Sequence, residues 1–269
     1  MSRIEQCFSA LKEQQRKALV PYITAGDPQP DVTVPLLHAL VEAGADLLEV
    51  GVPFSDPMAD GPVIQAACER ALAHHVTLHR VVEMVQEFRR KDTTTPVILM
   101  GYLNPIEVWG YADFAQSAAT AGVDGVLVVD MPPEEAGGLS EALRAQGIDT
   151  IFLLAPTSDA DRMRLVGEAG SGFLYYVSFK GVTGANRLDI ASVTEKLAEL
   201  RKYIDLPIGV GFGIRDAESA ARVAAIADAV VVGSVLVNGI AERVDQPETI
   251  APALSATIAG MRAAIDGAR

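Results

Sequence analysis

The stretch Ala43-Gly44-Ala45-Asp46-Leu47-Leu48-Glu49-Val50-Gly51-Val52 joins the end of a helical pattern to a short apolar run. Glycine tolerates the left-handed backbone that closes a helix, so Gly44 predicts a helix end followed directly by a strand. The run at 46–52 is too short for a helix and too uniformly apolar for a half-exposed strand. It is typical of a parallel strand that is covered on both faces.

The same unit recurs along the whole chain. The junctions at 121–124 and 146–149 repeat the glycine-to-aspartate ending. Short apolar runs alternate with helical patterns and occupy residues 19–24, 46–52, 96–102, 125–130, 150–155, 173–179, 207–213 and 229–233. Eight units in 269 residues correspond to about 34 residues each, the size of a (β/α)8 barrel. We therefore expect a single (β/α)8 TIM barrel domain over residues 1–269, with a doubly wound open sheet as the alternative.

Two further helices are predicted beyond the eight units. Ser2 and Glu5 have the spacing of a capping box, and Ile4, Phe8 and Leu11 follow on one helical face. This pattern predicts an N-terminal helix before the first strand. Residues 235–238 predict an extra short helix after the eighth strand.

Composition excludes several classes of function. The formal net charge is −13, whereas a protein that neutralises phosphodiester backbones needs a basic face, so neither nucleic-acid nor anionic membrane binding is expected. The longest uncharged run, 93–106, is too short to span a bilayer. The N-terminus lacks the apolar block of a signal peptide, and the two cysteines have no paired spacing. We expect a cytoplasmic protein with reduced thiols.

Glycines mark the ends of the seventh and eighth runs. The seventh reads Gly209-Val210-Gly211-Phe212-Gly213, and the eighth ends at Gly233-Ser234 before the extra helix. Glycine lets backbone N–H groups approach a ligand closely, and a helix N-terminus favours negative charge. Because barrels often bind phosphate after strands 7 and 8, this pattern predicts a phosphate site, with simple tight turns as the alternative. The spacing does not fit a dinucleotide or P-loop fingerprint.

Carboxylates follow the second run. Strand alternation places Leu48 and Val50 on one face, so Glu49 points the other way, towards the barrel mouth. Partial burial would raise the pKa of Glu49 towards neutrality, which suits a group that both gives and takes a proton. The alternative is a structural carboxylate. Asp56 and Asp60 lie in the loop that follows, where Asp-Pro and Asp-Gly are also ordinary turn dipeptides.

Other candidates are weaker. Asp130 ends the fourth run, and its side chain fits either a capping role or a functional site. The loop at 180–187 fits either a mobile lid over the substrate or an ordinary solvated loop. His75 and His79 lack the glutamate of a zinc motif and a third ligand nearby, so no metal site is predicted.

The chain resembles a known family in several segments. Residues 49–57 and 59–65 closely resemble the signature of the tryptophan synthase alpha subunit family, and residues 100–105, 181–184 and 211–214 match further segments in the same order. The resemblance covers essentially the whole chain. It implies a cofactor-free lyase that cleaves indole-3-glycerol phosphate to indole and glyceraldehyde 3-phosphate in L-tryptophan biosynthesis. It also implies docking on a beta subunit that carries pyridoxal phosphate, in an α2β2 complex.

The same resemblance implies roles for particular residues. The implied catalytic residues are Glu49, Asp60 and Tyr175. The implied substrate-binding residues are Tyr22, Met100, Leu127, Thr183, Gly184, Phe212, Gly213, Gly233 and Ser234. The implied partner interface comprises Pro53, Asp56, Pro57, Tyr102 and Asn104.

The chain departs from the family pattern at a few positions. Tyr22 stands where phenylalanine is common, Met58 and Met100 where leucine is common, and residues 179–180 where arginine is common. None of these removes a catalytic group. Two other functions stay open: another phosphosugar barrel enzyme, such as an isomerase, an epimerase or indole-glycerol-phosphate synthase, and a catalytically silent barrel that only activates a partner. The retention of Glu49 and Asp60 argues against the silent barrel.

Overall fold

The computed structural model describes residues 1–178, 189–211 and 213–267. Within these ranges the strands are β1 (Ala18–Thr24), β2 (Leu48–Gly51), β3 (Val97–Gly101), β4 (Gly125–Val128), β5 (Asp149–Ile151), β6 (Leu153–Leu154), β7 (Leu174–Val177), β8 (Ile208–Gly211) and β9 (Ala229–Val232). The α-helices are α1 (Arg3–Glu13), α2 (Pro30–Glu42), α3 (Pro62–Ala73), α4 (Leu78–Arg89), α5 (Leu103–Trp109), α6 (Tyr111–Ala121), α7 (Gly137–Ala145), α8 (Ala160–Ala169), α9 (Ile190–Leu200), α10 (Ala217–Ala224), α11 (Ser234–Ala241) and α12 (Ile250–Gly267). A short 3₁₀ helix covers Pro247–Thr249.

The strands form one parallel ring. Their order is β5-β4-β3-β2-β1-β9-β8-β7-β6, and every pair is parallel. The two ends of this order, β5 and β6, are separated along the chain only by Phe152, whose carbonyl accepts a hydrogen bond from the Tyr175 N–H at 3.1 Å. Together they fill the fifth position and close the ring. The predicted TIM barrel is therefore confirmed, and the doubly wound alternative is wrong because the order never reverses.

Helix α1 covers the N-terminal end of the barrel. Ser2 and Glu5 form the predicted capping box, and Ile4, Phe8 and Leu11 are buried. They pack on inward-facing side chains from the first residues of the strands, and the ring of Phe8 lies 5.8 Å from the ring of Phe173. The helix therefore closes the bottom of the barrel with apolar contacts.

Three aspartates brace the same end of the barrel. Asp124 and Asp228 immediately precede β4 and β9, and Asp46 lies two residues before β2. Each accepts a hydrogen bond from the backbone of a neighbouring strand. Each also pairs with an arginine. The backbone donors are Leu19 N at 2.8 Å, Val97 N at 2.8 Å and Ile208 N at 2.9 Å, and the arginines are Arg262, Arg89 and Arg201. Asp46 and Asp124, which end two of the junctions recognised in the sequence, are thus structural ties at the face opposite the strand C-termini, and Asp228 is a third that the sequence analysis did not single out.

The core has two layers. Outward side chains of the strands pack against the surrounding helices, and inward side chains form a separate cluster inside the ring. The extra helix predicted at 235–238 is α11, which begins directly after β9. Among the described residues, no helix combines the length and apolar character needed to cross a membrane.

We expect Asp124→Ala to destabilise the barrel strongly. The carboxylate of Asp124 is buried, and it accepts bonds from Arg3 at 2.7 Å, from Arg89 at 2.6 Å and from the Val97 N–H. Removing it takes away the closer carboxylate partner of the largely buried Arg89 guanidinium and leaves only Asp92 at 3.9 Å, so we expect a loss of about 3–5 kcal/mol. Urea unfolding measures this loss. Asp161→Ala is the matched control, because Asp161 pairs with Arg164 on the exposed surface, and equal stability of the two variants would contradict the prediction.

Candidate active site

Glu49 is held inside the barrel by the alternation of β2. Its neighbours Leu48 and Val50 pack in the outer layer, whereas Glu49 lines a cavity of about 1160 Å³ at the mouth. This is the orientation that the strand pattern predicted. The side chain is 1% exposed, so an apolar strand carries one carboxyl group into the interior.

Burial changes the protonation of Glu49. Desolvation, with a further contribution from the negative charge of Asp60, raises the pKa of Glu49 from 4.5 to about 8. Its Oε1 atom has no hydrogen-bond partner among the described residues. At neutral pH the group is therefore mostly a protonated acid with an uncommitted oxygen, and it can donate a proton to a ligand in the cavity and accept one back.

Asp60 lies at the same cavity, just before α3. The Tyr102 hydroxyl donates a hydrogen bond to Asp60 Oδ2 at 2.9 Å and accepts one from the Ala59 N–H at 3.0 Å. The Gln65 amide donates to the Asp60 carbonyl at 2.8 Å. Burial raises the pKa of Asp60, and the Tyr102 bond opposes that rise because it favours the ionised form. Asp60 is thus held in place through both its backbone and its side chain.

Two tyrosines line the cavity beside Glu49. Tyr22 comes from β1 and Tyr175 from β7, and both are buried. A Cβ atom at Gly51 would lie 2.1 Å from the Tyr22 hydroxyl oxygen, and one at Gly211 would lie 2.1 Å from the Tyr175 hydroxyl oxygen. Only glycine leaves room for these hydroxyls. Burial raises the pKa of both tyrosines, and the charge of Glu49 adds to the rise, so both stay neutral hydroxyl groups.

Gly211 therefore has a different task from the one that its glycine-rich run predicted. The sequence pattern predicted backbone contact with phosphate, but this position makes room for an aromatic side chain from the neighbouring strand. Gly51 has the corresponding task on β2. Neither task is visible in a local sequence pattern, because each depends on a tyrosine elsewhere in the chain.

The predicted phosphate residues lie on the same cavity. Gly213, Gly233 and Ser234 line it, and Gly233 is the N-cap of α11. Gly213 has a φ of +76°, a conformation that favours glycine. The N-terminal N–H groups of α11 therefore border the cavity and provide a favourable environment for an anion.

The remaining substrate candidates divide into three groups. Met100 lines the cavity. Leu127 is fully buried in the inner cluster against which Met100 packs, so it supports the cavity wall and does not form it. Thr183, Gly184 and Phe212 lie outside the described residues, as does the predicted loop at 180–187.

The predicted interface residues fall in two adjacent segments. Pro53, Asp56 and Pro57 belong to the loop after β2, and Tyr102 and Asn104 follow β3. The rings of Phe54 and Tyr102 stack with centroids 5.0 Å apart, which joins the segments. Asp56 and Asn104 are exposed, but Tyr102 is only 4% exposed because it holds the Asp60 loop.

Other candidates have structural roles. Asp130 Oδ1 accepts a hydrogen bond from the Leu103 N–H at 2.9 Å, so it caps the start of α5. The His79 ring stacks on Trp109, with ring centroids 3.5 Å apart. Within the described ranges, no group of three or more histidine, cysteine, aspartate or glutamate side chains is arranged to hold a metal ion.

One part of the site was missed in the sequence. Helix α3 contributes Val63 and Ile64 to the cavity, where they pack with Ala67 against Tyr22 and Val237. Their apolar spacing indicates a helix face, but it does not reveal that this face covers the barrel mouth. The partner of an amphipathic face is set by the fold as a whole.

Comparison with known proteins gives consistent results. The family model described as "Tryptophan synthase alpha chain" matches residues 8–266. The chain is 63% identical to the tryptophan synthase alpha chain of Thioalkalivibrio sulfidiphilus, over 99% of this chain and 100% of that protein. It is also 63% identical to the tryptophan synthase alpha chain of Nitrosococcus oceani, over 99% of this chain and 98% of that protein.

Solved structures agree with the sequence relatives. The crystal structure of tryptophan synthase subunit alpha from Legionella pneumophila superposes with a TM-score of 0.93 at 48% identity, covering 99% of each chain. An aminoacrylate-bound structure of tryptophan synthase from M. tuberculosis superposes with a TM-score of 0.87 at 33% identity, covering 98% of this chain and 100% of that chain.

The raised pKa of Glu49 predicts how Glu49→Gln alters stability with pH. Between its ordinary value of 4.5 and about 8, the unfolded chain loses the Glu49 proton while the folded chain keeps it. The wild type therefore loses about 1.4 kcal/mol of stability per pH unit across this window from this one group, and the variant does not. Urea unfolding at pH 5 and pH 8 should show the variant gaining about 3 kcal/mol relative to wild type.

Exposed Glu83 provides the matched control for this measurement, because Glu83→Gln makes the same substitution on the surface of α4, away from the cavity. Parallel stability curves for wild type and Glu49→Gln would rule out a strongly raised pKa at Glu49.

Proposed function

This chain belongs to the tryptophan synthase alpha chain family, and we propose that Glu49 and Asp60 are the catalytic residues of its reaction. The reaction is the retro-aldol cleavage of indole-3-glycerol phosphate to indole and glyceraldehyde 3-phosphate, a carbon–carbon lyase step of L-tryptophan biosynthesis. The observation that carries the proposal is a buried carboxyl group with a pKa of about 8 that shares one cavity with a second, anchored carboxylate.

The reaction needs two proton transfers. The protonated Glu49 donates its proton to indole C3, which places positive charge on the ring nitrogen. The resulting Glu49 carboxylate then removes the proton from the glycerol hydroxyl next to the ring. The carbon–carbon bond breaks, its electron pair returns to the indole, and an aldehyde forms. One carboxyl group with a pKa near neutrality serves both transfers, and it ends in its starting state.

Asp60 has a different task. As a carboxylate it accepts a hydrogen bond from the indole N–H. The acidity of this N–H rises as positive charge develops on the nitrogen, so Asp60 binds the transition state more strongly than the substrate. The bond from Tyr102 supports this assignment, because it favours the ionised form and holds the oxygen in place. The two carboxyl groups therefore need opposite protonation states. Burial favours the protonated form of Glu49, and the Tyr102 bond opposes the same effect of burial on Asp60.

The rest of the cavity suits the remaining parts of the substrate. We infer that Tyr22 and Met100 line the indole ring, with Leu127 behind them, and that Tyr175 is a supporting hydroxyl near Glu49. The phosphate would lie at Gly213, Gly233 and Ser234, where α11 begins. Thr183, Gly184 and Phe212 complete the proposed set, on the resemblance alone.

We further infer that the chain acts with a tryptophan synthase beta subunit in an α2β2 complex, and that the pyridoxal phosphate belongs to that partner. Pro53, Asp56, Pro57, Tyr102 and Asn104 form the proposed interface. The Phe54–Tyr102 stack and the Tyr102–Asp60 bond support a link between docking and catalysis.

Two broader inferences accompany this function. The closed ring of strands and the bond from Arg262 of α12 to Asp46 before β2 support a single domain over residues 1–269. The free thiols of Cys7 and Cys68 are consistent with a cytoplasmic location.

Glu49→Gln should abolish cleavage while leaving the chain folded. Glutamine matches the shape of glutamate but cannot exchange the proton, so kcat should fall at least about 10³-fold. Release of indole from indole-3-glycerol phosphate measures the rate, and Glu83→Gln is the matched control at an exposed site.

The wild-type pH profile provides a second part of the same test. Because the first transfer needs protonated Glu49, kcat/KM should fall above pH of about 8. An active Glu49→Gln variant would exclude the proposed role, and an inactive wild type would favour the silent barrel.

A beta subunit should raise the rate of cleavage by the isolated chain. Docking on the proposed interface restricts the loop that holds Asp60. We therefore expect turnover to increase at least about tenfold when the beta subunit is saturating. Asn104→Ala should raise the beta-subunit concentration that gives half-maximal activation, whereas Glu83→Gln should not. Equal rates with and without the beta subunit would count against the link.

A further inference from the structure

Helix α3 is not part of the outer ring of the barrel. Two helices connect β2 to β3, and α4 is the one that packs beside α2 and α6. In contrast, α3 packs against α11 and β1. Its residues Val63, Ile64 and Ala67 contact Tyr22 of β1 and Val237 of α11 in a small apolar cluster at the cavity. Helix α3 is therefore one wall of the barrel mouth.

The N-terminus of α3 determines where Asp60 can lie. Gly61 is the N-cap and Pro62 the first helical residue, so Asp60 directly precedes the cap. The Gln65 side chain donates to the Asp60 carbonyl at 2.8 Å, which ties the loop to the first turn of the helix. A rigid shift of α3 would therefore move the Asp60 backbone with it.

The opposite half of α3 is attached to the barrel by a two-pronged ion pair. Arg70 Nε and Nη2 donate to Asp27 Oδ1 and Oδ2 at 2.6 and 2.9 Å. The Asp27 side chain is fully buried, in the loop after β1, and that of Arg70 is 26% exposed. A parallel fork of this kind fixes orientation as well as distance, which a lysine at the same position cannot do.

The loop that carries Asp27 is itself anchored. The Asp27 N–H donates to the Thr24 carbonyl at the end of β1, and the Gly26 N–H donates to the Thr33 hydroxyl of α2 at 2.8 Å. A Cβ atom at Gly26 would lie 2.5 Å from Val76, so the segment after α3 packs directly on this loop. The ion pair therefore connects α3 to a fixed part of the barrel.

We propose that the Arg70–Asp27 pair is a positioning pair for the lyase reaction, which sets Asp60 relative to Glu49 by fixing α3 over the barrel mouth. Arg70 lies about 12 Å along the helix from Pro62 and touches no substrate atom in this role. The inference rests on the functions proposed for Glu49 and Asp60. Loss of the fork leaves α3 held by its apolar contacts, which permit small shifts and rotations.

The test compares the variants Arg70→Lys and Asp27→Asn with wild type in the cleavage assay. Because displacements of about 1 Å are costly in catalysis, we expect kcat to fall about tenfold in each. Competitive inhibition by glycerol 3-phosphate, which has no ring to meet Asp60, should change less than about twofold. Arg80→Lys is the matched control, because Arg80 pairs with Glu83 and Glu87 on the surface of α4, and its kcat should equal that of wild type.

The pH profile separates positioning from a purely structural role. The titratable groups around Glu49 are Asp60, Tyr22 and Tyr175, and burial raises the pKa of both tyrosines, so the charge that acts on Glu49 is that of Asp60. Its charge raises the pKa of Glu49, so moving Asp60 away should shift the alkaline limb of kcat/KM to lower pH, by about half a unit. Because ionisation of Glu49 also lowers stability as the pH rises, the limb is compared only over pH values at which circular dichroism shows each variant fully folded.

The outcomes are distinguishable. Folded Arg70→Lys and Asp27→Asn variants with wild-type kcat and an unshifted limb would overturn the proposal, while inactive Glu49→Gln and Asp60→Asn variants would leave the proposed function intact. The proposal would also be overturned if the loss of rate in a variant were fully explained by its unfolded fraction, as determined by urea unfolding, and disappeared at a lower temperature where the variant is folded. An active Glu49→Gln variant would instead remove the proposed function on which the inference rests.

Discussion

The site depends on the cost of placing a charge inside a closed ring of strands. Glu49 occupies an inward position between Leu48 and Val50, and no ion pair or hydrogen bond from the described residues compensates its Oε1 atom. The folded protein therefore keeps this group as a neutral acid, at a pKa of about 8. The same desolvation lowers stability at alkaline pH and makes the group able to transfer protons near neutrality. The function proposed for Glu49 and this destabilisation thus have one physical cause.

The two ends of the barrel deal with charge in opposite ways. At the bottom, Asp46, Asp124 and Asp228 each accept bonds from an arginine and from the backbone of a neighbouring strand, which braces the strands. At the mouth, none of the arginines in the described part of the chain pairs with Glu49, and Asp60 is held by a neutral tyrosine hydroxyl. An arginine beside Glu49 would lower its pKa and remove its acid form. The distribution of cations is therefore part of the chemistry.

The sequence predicted the fold closely because parallel barrel strands have a strong local signal. The observed strands lie within the predicted runs or extend them by one residue, and the capping box at Ser2 and Glu5 forms as predicted. The break at Phe152 was not predicted, because it reflects pairing with two different neighbours. The roles of Gly51 and Gly211 were not predicted either, since each glycine accommodates a tyrosine from another strand. Local patterns identify elements, whereas close approaches between elements require the assembled fold.

Tyr102 joins the loop that holds Asp60 to the proposed partner surface. Its hydroxyl donates to Asp60 and accepts from Ala59, and its ring stacks on Phe54 in the loop that contains Asp56. A partner that presses on this loop changes the position of the ring, and the ring and the Asp60 carboxylate share a hydrogen bond of 2.9 Å. The opposite side of Asp60 is tied to α3 through Gln65. Asp60 thus lies between one support in the proposed partner surface and one in helix α3, and the proposed docking would act through the first.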